Sequence, residues 1–575
     1  MLARRWVEVA VDEEAVARLA RELRLEPLAA RVLAGRGLAE PAEAERFLAA
    51  GLTELPDPFR MRGMEAAVEA IRRALREGRR IALYGDYDVD GVTSTALLAD
   101  FLRAAGGDVV TYVPHRIVEG YGLNADAVAR LAARGVRLLL SLDCGITSVA
   151  EVRAAAGMGL ETVVVDHHTV PVELPAATAI LNPHQPGCEY PFRHLAAVGV
   201  AFCLAMALRR RLREAGWFGP GRPEPNLKTS LDLVALGTVA DVVPLVGVNR
   251  ILVRAGLEEL SRTRRPGLRA LKRVAGISEG AAVSAGQVGF RLGPRINAAG
   301  RLDDAARGVE LLLAQEDAEA SRLAGVLDDE NSARREIERQ ILEQATAQAQ
   351  ERVAAGARGL VLFDERWHPG VVGIVASRVV ERFHRPAVLV GVADGVGRGS
   401  GRSIETFHLH DALTHCAPHL TRFGGHRHAA GVTVAPAALP AFRAAFEAHA
   451  GERISEEELV PRCRIEGRLG AEAVSERVVR ALERLAPFGA GHPEPLFALR
   501  GLPRRARVVG AGGAHLRLGF ANGVQAIGFS LGDRVSLCSA EVEAAVTVGF
   551  DDWEGVRRVQ LRIRDLRPAL RHEGA

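Results

Sequence analysis

Asp86, Asp88 and Asp90 stand at alternate positions in Tyr84-Gly85-Asp86-Tyr87-Asp88-Val89-Asp90-Gly91. An apolar run, Ile81-Ala82-Leu83, precedes this segment, and Thr93-Ser94-Thr95 with the apolar-periodic stretch Ala96 to Ala104 follows it. The pattern predicts a strand, a tight acidic loop and a capped helix. Carboxylates crowded in this way repel one another, and a cation among them relieves the repulsion. Asp-x-Asp-x-Asp-Gly also opens an EF-hand loop. Here the bidentate acid of the twelfth position falls on Leu97, and a strand stands where an EF-hand has a helix. Taken alone, the loop fits a surface acidic turn as well as a catalytic site.

Two further apolar runs end as the first does. Leu138-Leu139-Leu140-Ser141-Leu142 leads into Asp143-Cys144-Gly145, and Thr162-Val163-Val164-Val165 into Asp166-His167-His168. Later the apolar helical segment Leu231 to Val239 delivers Asp241 in GTVADVVPL. Singly, an acid at a strand end is often a helix cap and a histidine pair ordinary packing. Together they put carboxylates and imidazoles along one edge of one sheet. An oxygen-rich set with one or two histidines suits Mn²⁺ or Mg²⁺ better than zinc. The Walker pattern is absent, which argues against a nucleotide-driven motor.

The elements that must position these residues read as strand and helix in alternation. Apolar runs at 81–83, 109–113, 138–142 and 162–165 are separated by helical segments near 93–105, 124–134 and 148–157. That order predicts a mainly parallel sheet with helices on both faces, and such sheets bind ligands beyond the carboxyl ends of their strands.

The 575 residues are 48% hydrophobic and 25% charged, as in a soluble globular protein of several domains. No apolar run is long enough to span a membrane, and an acidic residue interrupts the N-terminus where a signal peptide has its apolar core, so a cytoplasmic protein is expected. Six cysteines, at 144, 188, 203, 416, 463 and 538, form no C-x-x-C pair and read as small buried residues. Lysine occurs only at 228 and 272, so arginine carries nearly all the positive charge. A net charge of +3 leaves any polyanion site to a local patch.

Residues 1–75 read as a helical extension packed on the sheet domain of 76–304, and 305–357 as a connecting helix that sets the width of a cleft. A second α/β unit follows at 358–455, with glycine-rich segments at Gly397 to Ser403 and Gly424 to Gly431. Such glycines make tight turns, or let backbone N–H groups approach phosphate beside Arg398, Arg402, His426 and His428. Residues 456–575 read as short strands, at 463–467, 505–509, 515–520, 524–529, 542–549 and 557–565, with a hairpin signal at Asn522-Gly523; a small barrel such as an OB-fold fits. In the last strand Val559, Leu561 and Ile563 alternate with Arg558, Gln560, Arg562 and Arg564. The basic face is either a solvated surface or a groove tracking single-stranded backbone, with Phe520 or Trp553 to stack bases.

The set DYDVDG, SLDCGI, VVVDHH and TVADVVPL resembles the DHH phosphoesterases, and within them the RecJ-like single-stranded-DNA exonucleases. YVPHRIVEGYGL, FRLGPRINAAGRL, WHPGVVGIVASRV, GRGSGRSI, GGHRHAAG and APFGAGHPEPLF extend the likeness over roughly residues 34–568. His492 departs from it where an asparagine is more usual, with no catalytic consequence expected.

The resemblance implies an α/β catalytic domain, a DHH-associated substrate-binding domain and a C-terminal OB-fold. It implies two Mn²⁺ or Mg²⁺ ions held by Asp88, Asp90, Asp143, His167 and Asp241, with Asp143 bridging. His168 would contact phosphate. Asp86 is the doubtful ligand, since related enzymes carry a ligand histidine at the position of Tyr84. Such a pair of ions would cleave phosphodiesters without a separate general base. Arg116, Arg295 and Arg301, with Ser377, Arg378, Ser400, Arg402, Gly425, His426 and His428, would hold substrate phosphates. The implied activity is 5′ to 3′ release of mononucleotides from single-stranded DNA in repair and recombination, by a monomer cooperating with a single-strand-binding protein and a helicase. The alternatives are a phosphodiesterase for short oligonucleotides or cyclic dinucleotides, and an inactive DNA-binding relative.

Overall fold

The computed structural model describes residues 4–116, 119–521, 523–551 and 557–569. Its first strand, β1 (Arg5–Glu8), pairs in parallel with a strand near the other end of the chain, Arg5 opposite Arg462. The chain divides into two compact units.

One unit is Ala50–Arg334 with Pro487–Pro493. Its sheet comprises β2 (Arg80–Gly85), β3 (Val109–Tyr112), β4 (Val136–Leu142), β5 (Glu161–Val165) and β6 (Ala179–Leu181), in the order β3-β2-β4-β5-β6. Every pairing is parallel. Apolar residues run almost unbroken along β4 because both of its faces are covered, leaving only Arg137 exposed. The chain passes from β2 to β3 on one side and returns to β4 on the other, so β2 and β4 flank the point where the winding reverses. Register then aligns the strand ends: Gly85 lies opposite Leu142, and Leu142 opposite Val165. The N–H groups of Asp86, Asp143 and Asp166 donate in turn to the carbonyls of Leu142, Val165 and Leu181, fixing the three acids side by side.

The helix Val89–Ala104 follows the acidic loop and packs against two others, Ala197–Glu214 and Leu231–Ala240. Residues 231–238 are all buried, which makes this last helix a rod through the core that ends at Asp241. Its Gly237 allows close approach. A Cβ there would collide with Thr93 Oγ1 and lie 2.8 Å from Val198 Cγ1 and 3.2 Å from Asp90 Oδ1.

The other unit is Met1–Ala49, Arg335–Ala486 and Glu494–Ala575. The expected connector is two helices: a short one, Ala306–Leu313, and a 38-residue one, Asp317–Ala354, about 57 Å long, that begins in the first unit and ends in this one. A five-stranded sheet follows, from β7 (Leu360–Asp364), β8 (Ala387–Ala393), β9 (Val396–Arg402), β10 (Arg422–Gly425) and β11 (Ala429–Val434), in the order β10-β11-β9-β8-β7.

Beyond it, β12 (Arg462–Ile465) pairs with β1. Seven more strands, β13 (Gly467–Gly470), β14 (Phe497–Gly501), β15 (Arg505–Val509), β16 (His515–Gly519), β17 (Gln525–Gly528), β18 (Val542–Asp551) and β19 (Arg558–Pro568), form one sheet in the order β13-β14-β18-β19-β17-β16-β15. β13 and β14 are additions to the expected strands. Asn522 and Trp553 lie outside the described residues.

Two expected boundaries differ. Residues 1–49 join the C-terminal unit instead of the sheet domain, through the β1–β12 pairing and a buried bidentate pair in which Arg36 donates to Glu466 at 3.0 and 2.8 Å. Conversely, Pro487–Pro493 belongs to the first unit. All six cysteines are free thiols.

Candidate metal centre

The acidic loop takes its shape from the helix it starts. Asp88 is the N-cap of Val89–Ala104, its Oδ1 accepting from the N–H groups of Asp90 at 2.8 Å and Gly91 at 3.3 Å. Asp90 accepts from the N–H groups of Ala197 at 2.6 Å and Val198 at 2.8 Å, so the start of a second helix orients it. The Val89 N–H donates to Asn297 Oδ1 at 3.1 Å. Asp143 has a left-handed backbone, φ 63°, as does Val242, φ 62°, next to Asp241. Both are costly for side chains with a Cβ and turn the chain sharply at the ligand positions.

These constraints bring together residues from four separate sequence segments. His167 Nε2 lies 3.3 Å from Asp143 Oδ1, 3.5 Å from Asp241 Oδ2 and 3.9 Å from Asp90 Oδ2. Three sets each converge within 4.8 Å: Asp86, Asp88 and Asp143; Asp90, His167 and Asp241; and Asp143, His167 and His168. Asp86 Oδ1, Asp143 Oδ1, Asp241 Oδ2 and His167 Nε2 are buried without a hydrogen-bond partner. Four orphaned donor atoms in one place is the signature of a cation site. Burial and the neighbouring carboxylates push Asp86, Asp143 and Asp241 well above the usual carboxylate range and Asp90 up to about 7. Burial and His168 lower His167 to about 4, leaving a neutral ring able to ligate. The residues therefore fit divalent ions of the oxygen-preferring kind.

Asp166 holds the histidines. Burial would raise it, but four bonds keep it down at about 2: His168 Nδ1 at 2.8 Å, and the N–H groups of Ile146, His167 and His168 at 3.0, 2.8 and 3.1 Å. Tyr121 reaches the same histidine, its hydroxyl 3.2 Å from both His168 Nδ1 and the Asp143 carbonyl. Neither role was read from the sequence. Asp166 looked like one more acidic strand end, and Tyr121 carries no chemical signature outside this contact.

Tyr84 is a core residue, its hydroxyl donating to the Gly122 carbonyl at 3.1 Å and its ring stacked on Tyr112. The doubtful Asp86 belongs to one of the three convergent sets, with Asp88 and Asp143. Arg116 lies 4.8 Å over the Tyr87 ring. Burial and Asp86 push the Tyr87 hydroxyl up to about 12 against the pull of Arg116 and Arg301. A Cβ on Gly300, the neighbour of Arg301, would fall 2.5 Å from the Tyr87 carbonyl oxygen, so that segment lies against the acidic loop. Arg295 differs from expectation. Its fork is engaged within the protein, by Asp328 at 2.8 Å and by the carbonyls of Arg291 and Val274 at 2.6 and 3.2 Å.

The other unit gathers its own cluster. Arg402 donates to Ser400 Oγ at 2.9 Å, Ser377 and Arg378 lie on the helix Val372–Phe383 packed against β9, and Arg378 pairs with Glu381 and Glu338. Arg398 is exposed on β9; Gly425, His426 and His428 are exposed at the β10–β11 turn. On β19, Arg558, Arg562 and Arg564 face solvent while Leu561 and Ile563 are buried. The register shifts between Ala545 and Val546, and Asp565 beyond the shift is buried and accepts from Trp6 Nε1 at 2.8 Å. Phe520 cannot stack a base: Leu516, Leu518 and Phe520 share the inward side of β16 and its extension, and all three are buried. Phe529, 59% exposed and edge-on to His515, is an aromatic of this domain that faces solvent.

Comparison with known proteins bears on the whole chain. Residues 80–238 match the DHH family N-terminal domain, 356–452 the DHHA1 domain and 465–565 the RecJ OB domain. A single-stranded-DNA-specific exonuclease RecJ from Dickeya dadantii is 42% identical over 95% of this chain and 96% of its own. The chain belongs to the RecJ family. A crystal structure of RecJ from Thermus thermophilus in complex with Mn²⁺ superposes with a TM-score of 0.84 at 35% identity, covering 98% of this chain and 80% of that one. A Mg²⁺ complex from the same organism gives 0.78 at 33%, covering 98% and 79%. Like those RecJ chains, this one has a parallel-sheet DHH domain, a DHHA1 domain and an OB domain, and its acids and histidines are grouped to hold metal ions.

Proposed function

We propose that this protein is a metal-dependent exonuclease acting on single-stranded DNA from the 5′ end and releasing mononucleotides in repair and recombination. The observation that carries the reading is the convergence of four buried, unpartnered donor atoms on Asp86, Asp143, Asp241 and His167, in a chain whose relatives are single-strand exonucleases. Asp88, Asp90, Asp143, His167, Asp241 and Asp86 would hold two Mn²⁺ or Mg²⁺ ions. Such ions polarise a phosphodiester and lower the pKa of an attacking water. Asp143 and His167 each belong to two of the three ligand groups, and Asp143 is the acid that would be shared between the ions.

The chain's own residues do the rest. Bonding to Asp166 holds His168 above the usual histidine range despite burial and orients its ring for the scissile phosphate. Arg116 and Arg301 beside the ligand loop bind the phosphates next to it. Ser377, Arg378, Arg398, Ser400, Arg402, Gly425, His426 and His428 take the terminal phosphate, which limits cutting to chain ends. The exposed arginines of β19 track the strand. The protein works as a cytoplasmic monomer with a single-strand-binding protein and a helicase.

Digestion of end-labelled single-stranded and duplex DNA, with and without Mn²⁺, tests the reading. Mononucleotides from single strands only, starting at the 5′ end, are expected. Products confined to dinucleotides, or binding without products, would replace it with one of the two alternatives. Asp143→Ala should lower cleavage more than ~100-fold and leave DNA binding in EDTA unchanged.

A further inference from the structure

The motif APFGAGHPEPLF has no part in the chemistry above, yet its residues Pro487–Pro493 leave the C-terminal unit and join the one that contains the metal centre. They dock on the turn that follows Asp241. The Leu245 N–H donates to the Ala490 carbonyl at 2.8 Å, and Arg250 reaches the Pro487 carbonyl at 3.5 Å. Gly491, φ 67°, lies so close that a Cβ would stand 2.9 Å from Pro244 Cβ. The segment closes on itself by reciprocal backbone bonds between Gly489 and His492, at 2.9 and 3.1 Å, and His492 is buried and stacked on Phe488 at 5.3 Å. From the other side, Asn249 Nδ2 donates to the Pro244 carbonyl at 3.0 Å.

Asp241 needs such a support. Asp88 and Asp90 are aimed by backbone N–H groups, whereas Asp241 Oδ2 has no partner. The direction of its carboxylate follows from the backbone turn, which passes through the left-handed Val242 before reaching Pro244 and Leu245. Whatever fixes Pro244 and Leu245 fixes that turn.

We propose that Pro487–Pro493 is a positioning element for the metal ligand Asp241, by which the C-terminal part of the chain completes the metal centre. Groups that orient ligands from outside the coordination shell change metal affinity by roughly 10–100-fold. The proposal rests on the metal-site reading given above. It also accounts for the departure at position 492, where a histidine ring closes the segment by stacking.

The test uses the full-length protein and two variants. Gly491→Val forces bulk against Pro244, and His492→Ala removes the stacked ring without adding any. Mn²⁺ uptake is measured by the electron paramagnetic resonance of free Mn²⁺, alongside circular dichroism and single-stranded-DNA binding in EDTA. Both variants should bind Mn²⁺ ~10–100-fold more weakly, with wild-type dichroism and metal-free DNA binding, and should regain turnover as Mn²⁺ is raised. A folded variant with a wild-type Mn²⁺ isotherm overturns the proposal. So does loss of folding or of metal-free DNA binding in both, because the segment would then be holding the fold and not the ligand. Wild-type protein that takes up no Mn²⁺ would instead defeat the metal-site reading itself.

Discussion

Asp166 shows how one buried acid can govern a centre without standing in it. It accepts from His168 Nδ1 and from the backbone N–H groups of Ile146, His167 and His168, so its charge fixes the rings and the loop together. Asp166→Asn keeps the shape but turns an acceptor into a donor facing N–H groups. It should weaken Mn²⁺ binding ~10–100-fold, read by Mn²⁺ titration of turnover at fixed substrate. The convergence of the candidate ligands was legible in sequence, because acids at three strand ends of one parallel sheet must come together. Side-chain partnerships were less so. Nothing in the string separates Asp86, with an orphaned oxygen, from Arg295, whose fork is filled by Asp328 and two carbonyls.

At the scale of elements, the centre depends on how closely two helices pass. The rod Leu231–Ala240 lies against Val89–Ala104 at Gly237, beside Thr93, Val198 and Asp90. Gly237→Ala introduces a methyl group where there is no space and should cost about 1–3 kcal/mol, measured as a lower urea midpoint at unchanged slope. Strand-and-helix alternation disclosed the parallel sheet through β5 but not β6, whose three residues give no periodicity to read. β14 was missed for another reason: Phe497-Ala498-Leu499 reads as the tail of the preceding proline-rich motif, and only its pairing with β13 and β18 makes it a strand.

For the whole molecule, pairings between distant segments decide the organisation, and these leave no local trace. Arg36 and Glu466, 430 residues apart, form an ion pair with side chains only 10% and 4% exposed. Glu466→Ala removes the bidentate partner of a buried guanidinium and should destabilise this unit by about 3–5 kcal/mol, seen as a lower melting temperature or an earlier, separate unfolding step. The arginines of β19 act at the same scale. Replacing Arg558, Arg562 and Arg564 with glutamine should leave cleavage of very short oligonucleotides intact. It should also reduce the salt slope of single-strand binding by about 2, measured as log affinity against log salt.

The excursion of Pro487–Pro493 also bears on synthesis at the ribosome. The residues up to Arg334 emerge early, but the last seven of their unit arrive 159 positions later, as 493 minus 334 gives. At roughly 5–20 residues per second, the delay is about 10–30 s. A nascent nuclease is thus kept incomplete until nearly all of the polypeptide has been translated, and a prematurely terminated product lacks the piece that finishes it.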